Sequence, residues 1–222
     1  MTEHPILFSA PMVRAILSGQ KTQTRRLVKW RNVAPGLNLG FSGLWAVETP
    51  AGWVLESESR TSSEWRCDPT PCKYGRAGDR MWGRETVFIN HYMGLQTPVE
   101  ERADCELWYR ATDEKDLMAG EDAEGIRWTP SIHMPRWTAR LLLDLLQVRV
   151  ERLQSISRED AIAEGIVQLK DGGYGLPAGD HYHSSDPRQS YFSLWEAING
   201  PGSVEANPWV WVVEFRRVQS PA

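Results

Sequence analysis

Cysteine is scarce in this chain, and long apolar runs are missing altogether. Three cysteines, Cys67, Cys72 and Cys105, are too few for a disulfide framework, and the odd count fits a reducing cytosol. No run of eighteen apolar residues occurs, which excludes a transmembrane helix. The opening "MTEHPILFSAPMV" lacks the basic start and continuous apolar core of a signal peptide. Internal repeats are absent as well. The expectation is a soluble, cytoplasmic protein with no membrane partner.

Acidic residues are missing from one stretch in particular. Residues 12–31 carry Arg14, Lys21, Arg25, Arg26, Lys29 and Arg31 with no acid at all. Residues 100–124 are the reverse, with ten acids against three bases. The whole chain has a net charge of −4, which argues against a nucleic-acid binder. Without the acidic segment, however, the remainder is net positive. Segregation of this kind permits local recognition of phosphate that a global count hides.

At 222 residues with 41% apolar content, the chain can bury a real core. Eleven tryptophans are an unusual number; most serve as core or interface anchors, and a few can act as stacking platforms. "PILFS" reads as a short buried strand. Ser9 then caps a helix over 10–18, with Met12, Ala15 and Ile16 as its buried stripe and Gly19 as its stop. "LWAVE" and "WVLES", joined by "TPAG", predict a hairpin. "GDRMWGRETV" and "CELWYRA" read as strands, and the acidic segment beyond the latter as an exposed excursion. "ARLLLDLLQVRVERL" is a long strand. Ser157 caps a helix through "REDAIAEGI", "RQSYFSLWEAING" is an amphipathic helix, and "PWVWVVEFRRV" a closing strand. Short strands with about three helices predict an α+β class, a small mixed β-barrel with insertions.

The stretch "AILSGQKTQTRR" poses the functional question. Two threonines and three cations follow a helix stop, where the helix dipole alone favours positive charge. A pocket for an anionic or polar ligand is the sharper reading. The pattern Gly19-x-Lys21-Thr22-x-Thr24-x-Arg26 combines with the Gly78-Asp79 strand entry, the helix "EDAIAEG" and the final "VWVVEFRRV". Together they resemble the activating-signal-cointegrator homology (ASCH) domain of the PUA-like superfamily, in its larger phage- and prophage-type branch. The resemblance covers about 1–30, 76–90 and 132–218, in a single ASCH domain over 1–222 with insertions at about 31–75 and 91–131.

That resemblance implies a PUA-like barrel that binds RNA or a modified nucleoside. It also implies amidohydrolase activity toward a cytidine such as N4-acetylcytidine, with Lys21, Thr24 and Glu164 as catalytic residues, Arg26 beside them and no cofactor. Such chemistry is reasonable for these groups. A threonine hydroxyl needs a base to take its proton, and a lysine serves if burial or neighbouring cations such as Arg25 lower its pKa. Glu164 can orient the lysine or shuttle protons, or instead activate a water while Thr24 positions the substrate.

Arg25 and Arg26 are candidates for binding the substrate or RNA; further ones are Trp82 with Arg84, and Arg136 with Trp137, where cations interleave with aromatics as single-stranded RNA or a splayed base requires. A non-catalytic RNA-binding module and a ribonuclease are the rival readings. A zinc site would need Cys67 and Cys72 joined by His133 or by His181 and His183. The spacing is poor, and no metal is expected. Nothing in the sequence sets an oligomeric state.

Overall fold

The computed structural model describes residues 1–33, 37–40, 43–57, 66–119, 126–177 and 185–218. Its elements run β1 (Glu3–Leu7), α1 (Ala10–Leu17), β2 (Gln23–Leu27), β3 (Leu44–Thr49), β4 (Gly52–Ser57), β5 (Arg80–Arg84), β6 (Val87–Asn90), β7 (Glu106–Tyr109), α2 (Arg110–Met118), β8 (Leu142–Arg152), α3 (Arg158–Ala163), β9 (Val167–Gln168), β10 (Tyr174–Gly175), α4 (Pro187–Asn199) and β11 (Trp209–Arg217). The class is α+β.

A five-stranded sheet in the order β1-β5-β8-β11-β2 organises the chain. β1 and β5 are parallel, whereas β5–β8, β8–β11 and β11–β2 are antiparallel. The expected barrel is not closed: among the described residues β1 and β2 are the two edges of the sheet. A side chain spans them instead of a main-chain ladder, since the Arg26 guanidinium donates to the Leu7 carbonyl at 2.7 Å.

Both faces of the sheet are covered. Trp211, Val213 and Phe215 pack with Ile6, Val13, Met81 and Leu143 in one apolar cluster. Val210 and Val212 pack with Leu153, Ile156, Tyr191 and Trp195 in the other. This explains the unbroken "WVWVV" of β11, because a strand buried on both sides has no polar face to alternate with. The β3–β4 hairpin delivers Leu44, Val54 and Leu55 into the first cluster.

Local expectations are met with four corrections. "PILFS" is not a buried strand: β1 is an edge strand in which only Ile6 is buried and Leu7 is 44% exposed. Ser9 occupies the N-cap of α1, but its side chain makes no capping bond, and the helix buries Val13, Ala15 and Ile16 rather than Met12. Strand "RMWGRETV" breaks at Glu85–Thr86, so β5 joins the main sheet while β6 pairs with β7. The acidic excursion begins with α2, which buries only Ala111 and therefore leaves almost no periodic trace.

Candidate functional site

The turn between α1 and β2 is clamped by the main chain on three sides. Lys21 N–H donates to Ala15 O at the end of α1, and Thr22 N–H donates to Ala163 O at the end of α3. Phe215 N–H in turn donates to Thr22 O. Gly19 and Gly165, with φ of 76° and 103°, provide the left-handed steps that turn the chain after these two helices.

Into this junction Lys21 sends its amine. Nζ donates to Glu164 Oε2 at 2.7 Å and to the Glu164 carbonyl at 2.8 Å. The lysine side chain is 1% accessible and that of Glu164 5%. Glu164 is the C-cap residue of α3, where its carboxylate opposes the helix dipole; the lysine amine offsets this by satisfying the same helix end. Burial pushes the Lys21 amine below its ordinary value of 10.5. The Glu164 carboxylate pulls the other way, and the Arg26 and Arg25 charges add to the lowering.

Arg25 lies beside this pair, with no accessible side-chain surface. Its guanidinium meets Asp160 at 2.6 Å, Glu151 at 3.2 Å and Glu164 Oε1 at 3.5 Å. Arg149 closes the cluster against Glu151, Glu214 and Asp160. Gln23, with its amide oriented by this network, donates to Asp160 at 3.2 Å and accepts from Arg25. Among the described residues, Arg25 Nε and Glu164 Oε1 are buried without a hydrogen-bond partner. Tyr191 of α4 packs fully buried nearby. Burial, followed by the Glu164 charge, drives its phenol well above 10.0.

Strand alternation separates the other residues of the turn. Arg25 lies opposite Val212, on the face covered by α3 and α4, whereas Thr24 and Arg26 lie opposite Val213 and Trp211, on the other face. Thr24 is 1% exposed. Arg26 reaches around the open edge to Leu7 O and lies 5.9 Å from the Phe8 ring centre. The structure thus brings Lys21, Glu164 and Arg25 into contact and sets Thr24 and Arg26 across the β2 edge from them.

The aromatic and cationic candidates form separate groups. Trp82 is flanked by Arg84 at 5.6 Å and Arg136 at 5.8 Å, while Arg84 also donates to the Ile132 carbonyl and Arg136 makes a two-pronged pair with Glu3. Trp137 packs instead under Arg102, 5.2 Å away. Cys67 is buried and Cys72 partly buried, both as free thiols; His181 and His183 lie outside the described residues. Among the described residues, no group of three His, Cys, Asp or Glu side chains could hold a metal ion. No described helix is long and apolar enough to cross a membrane.

Sequence reasoning missed Asp160, Glu151, Arg149 and Tyr191. Two spacings could have revealed the first three. Asp160 and Glu164 are four residues apart along the α3 segment, and Arg149 and Glu151 share one face of a strand.

No family model, no curated protein and no solved structure matches this chain.

Proposed function

We propose that this chain is an ASCH-type, PUA-like protein of the cell interior that hydrolyses an acyl amide on a modified cytidine such as N4-acetylcytidine. The observation that carries the proposal is the Lys21–Glu164 pair, buried and 2.7 Å apart although 143 residues separate its members. Desolvated lysine–carboxylate pairs are poised for proton transfer, because the interior disfavours charge on the amine. In this reading the pair takes the proton from the nucleophile and returns it to the departing cytidine amino group as the acyl C–N bond breaks. The nucleophile is a water taken up along the open edge of β2, because Thr24 is 1% exposed and lies on the opposite face of the strand from the pair; its attack on the acyl carbon releases the acid directly. Arg26, at the same edge, faces the developing oxyanion. A substrate must approach along this edge, since both members of the pair are nearly closed to solvent.

Incubation of the purified chain with N4-acetylcytidine, followed by chromatography for cytidine and acetate, tests the proposal. Turnover should vanish in Lys21→Ala and Glu164→Gln. Absence of turnover in the parent at high enzyme concentration would refute it. A second reading, an RNA-binding module, is favoured by the flanking of Trp82 by Arg84 and Arg136. It predicts RNA binding that weakens in Trp82→Ala without any change to the base.

A further inference from the structure

The segment that joins β6 to β7 has the polarity of a loop turned inside out. Its two short 3-10 turns, Gly94–Gln96 and Val99–Asp104, contain no buried residue. Tyr92 is 86% exposed, Val99 70%, Leu95 44% and Met93 38%. The residue buried here is polar instead: Thr97, between the turns, is 1% exposed. Single apolar residues on a surface are ordinary, whereas four between positions 92 and 99 form a patch.

Polar contacts inside the loop hold these side chains outward. Thr97 Oγ1 donates to Gly94 O at 2.6 Å and lies 3.2 Å from His91 Nδ1, which also accepts from Met93 N–H at 3.2 Å. His91 Nε2 meets the Glu101 carboxylate at 3.0 Å, and Arg102 Nε donates to Thr97 O at 3.2 Å. Arg102 packs in turn on Trp137, outside the insertion, and so fastens the loop to the body of the protein. A backbone fixed in this way has little ordering cost left to meet when its side chains are covered. Carboxylates extend the same surface. Glu100 and Asp104 are exposed, and among the described residues neither has a cationic partner, whereas Glu101 pairs with His91.

We infer that this loop docks a cationic, amphipathic segment of a partner protein. Apolar side chains of the segment cover Tyr92, Met93, Leu95 and Val99, and its lysines or arginines meet Glu100 and Asp104. Charge selects this occupant. Carboxylates beside the patch repel the phosphates of RNA and of anionic lipid, and two copies of the loop facing each other would oppose like charges. Tyrosine supplies a rigid amphipathic anchor and methionine an adaptable filler. Four side chains make a small interface, so the complex is transient, with a Kd of about 1–100 μM. The inference does not depend on the hydrolase reading.

Fluorescence anisotropy with labelled peptides of about 14 residues tests it: one of leucine and lysine at helical spacing, one of leucine and glutamate, and one of serine and lysine. The leucine–lysine peptide should bind the parent chain, and the other two should bind at least about tenfold more weakly. Tyr92→Ser/Val99→Ser, two changes at exposed positions, should cost at least about tenfold in affinity with an unchanged circular dichroism spectrum. Glu100→Gln/Asp104→Asn should weaken binding and flatten its salt dependence. No binding of the leucine–lysine peptide, equal binding of either control peptide, or binding undiminished in Tyr92→Ser/Val99→Ser would each overturn the inference. Sedimentation of the parent as a dimer that becomes monomeric in that variant would assign the loop to a second copy of the chain and overturn it as well.

Discussion

Replacing Lys21 by methionine keeps an apolar stem of similar length and removes the amine. Two hydrogen bonds disappear, those to Glu164 Oε2 and to the Glu164 carbonyl. Glu164 Oε1 already lacks a hydrogen bond, and the nearest remaining cation, Arg25, stands 3.5 Å from it. A carboxylate with 5% accessible side-chain surface is therefore left with only Arg25, which it shares with Glu151 and Asp160. Breaking a buried pair from one side costs about 3–5 kcal/mol, because the orphaned charge keeps its desolvation penalty. In a chain of this size each kilocalorie moves Tm by about 2–4 °C, so the drop should be about 6–20 °C. Restoring neutrality with Lys21→Met/Glu164→Gln should recover part of the loss, with a coupling of about 1–3 kcal/mol. Denaturant unfolding followed by circular dichroism measures both quantities. A deficit below about 1 kcal/mol would refute the claim that Lys21 and Glu164 form a desolvated ion pair.

Two other perturbations address different parts of the molecule. Gly83 is hemmed in at the middle of β5, where an added Cβ would lie 2.9 Å from Leu141 Cβ and 3.3 Å from Phe8 Cδ2; Gly83→Ala should cost about 1–3 kcal/mol in the same unfolding assay. For Asp160, burial acts to raise the carboxyl, but the hydrogen bond and charge of Arg25, with the charge of Arg149, hold it below its ordinary 3.8. A depressed carboxyl contributes stability above that value and loses it as pH falls through the native one. Asp160→Asn should therefore be less stable at neutral pH and show a shallower acid limb, read from acid-unfolding curves.

Much of the local structure was legible because its signals are local. The Ser157 side chain does cap α3, Gly19 does end α1, and "TPAG" does turn the β3–β4 hairpin. The long strand β8 and closing strand β11 were marked by their apolar runs. What stayed hidden depends on distant partners. Parallel pairing of β1 with β5 brings Glu3 to Arg80 across an insertion, and no residue pattern in either strand records it. Arg25 reads as a ligand-binding cation of the turn beside Lys21, and it is instead buried against Glu151 and Asp160, which come from 126 and 135 residues further on. Lys21 and Glu164 were named from the resemblance alone, and neither residue's surroundings in the sequence show that they touch.

The charge cluster behind Lys21 raises a question that stability does not answer. Lys21, Arg25 and Arg149 face Glu151, Asp160, Glu164 and Glu214, one carboxylate more than there are cations. Well-packed apolar residues in such a place are commonly as stable or more so, since desolvation offsets much of the Coulombic gain. Register is a better explanation. The apolar contacts of Val210 and Val212 with α4 and the α3 region are non-directional and would tolerate sliding, whereas Arg25 meets three carboxylates from two different elements at fixed points of one planar group. Asp160 and Glu164 are tied to β2 by the same guanidinium, and β8 is tied to both through Glu151 and Arg149. The position of the Glu164 carboxylate is thereby set from the strand side by Arg25 and from the turn side by Lys21. A lysine at position 25 has the charge but not the fork, so Arg25→Lys would leave at least one of the three carboxylates without its partner.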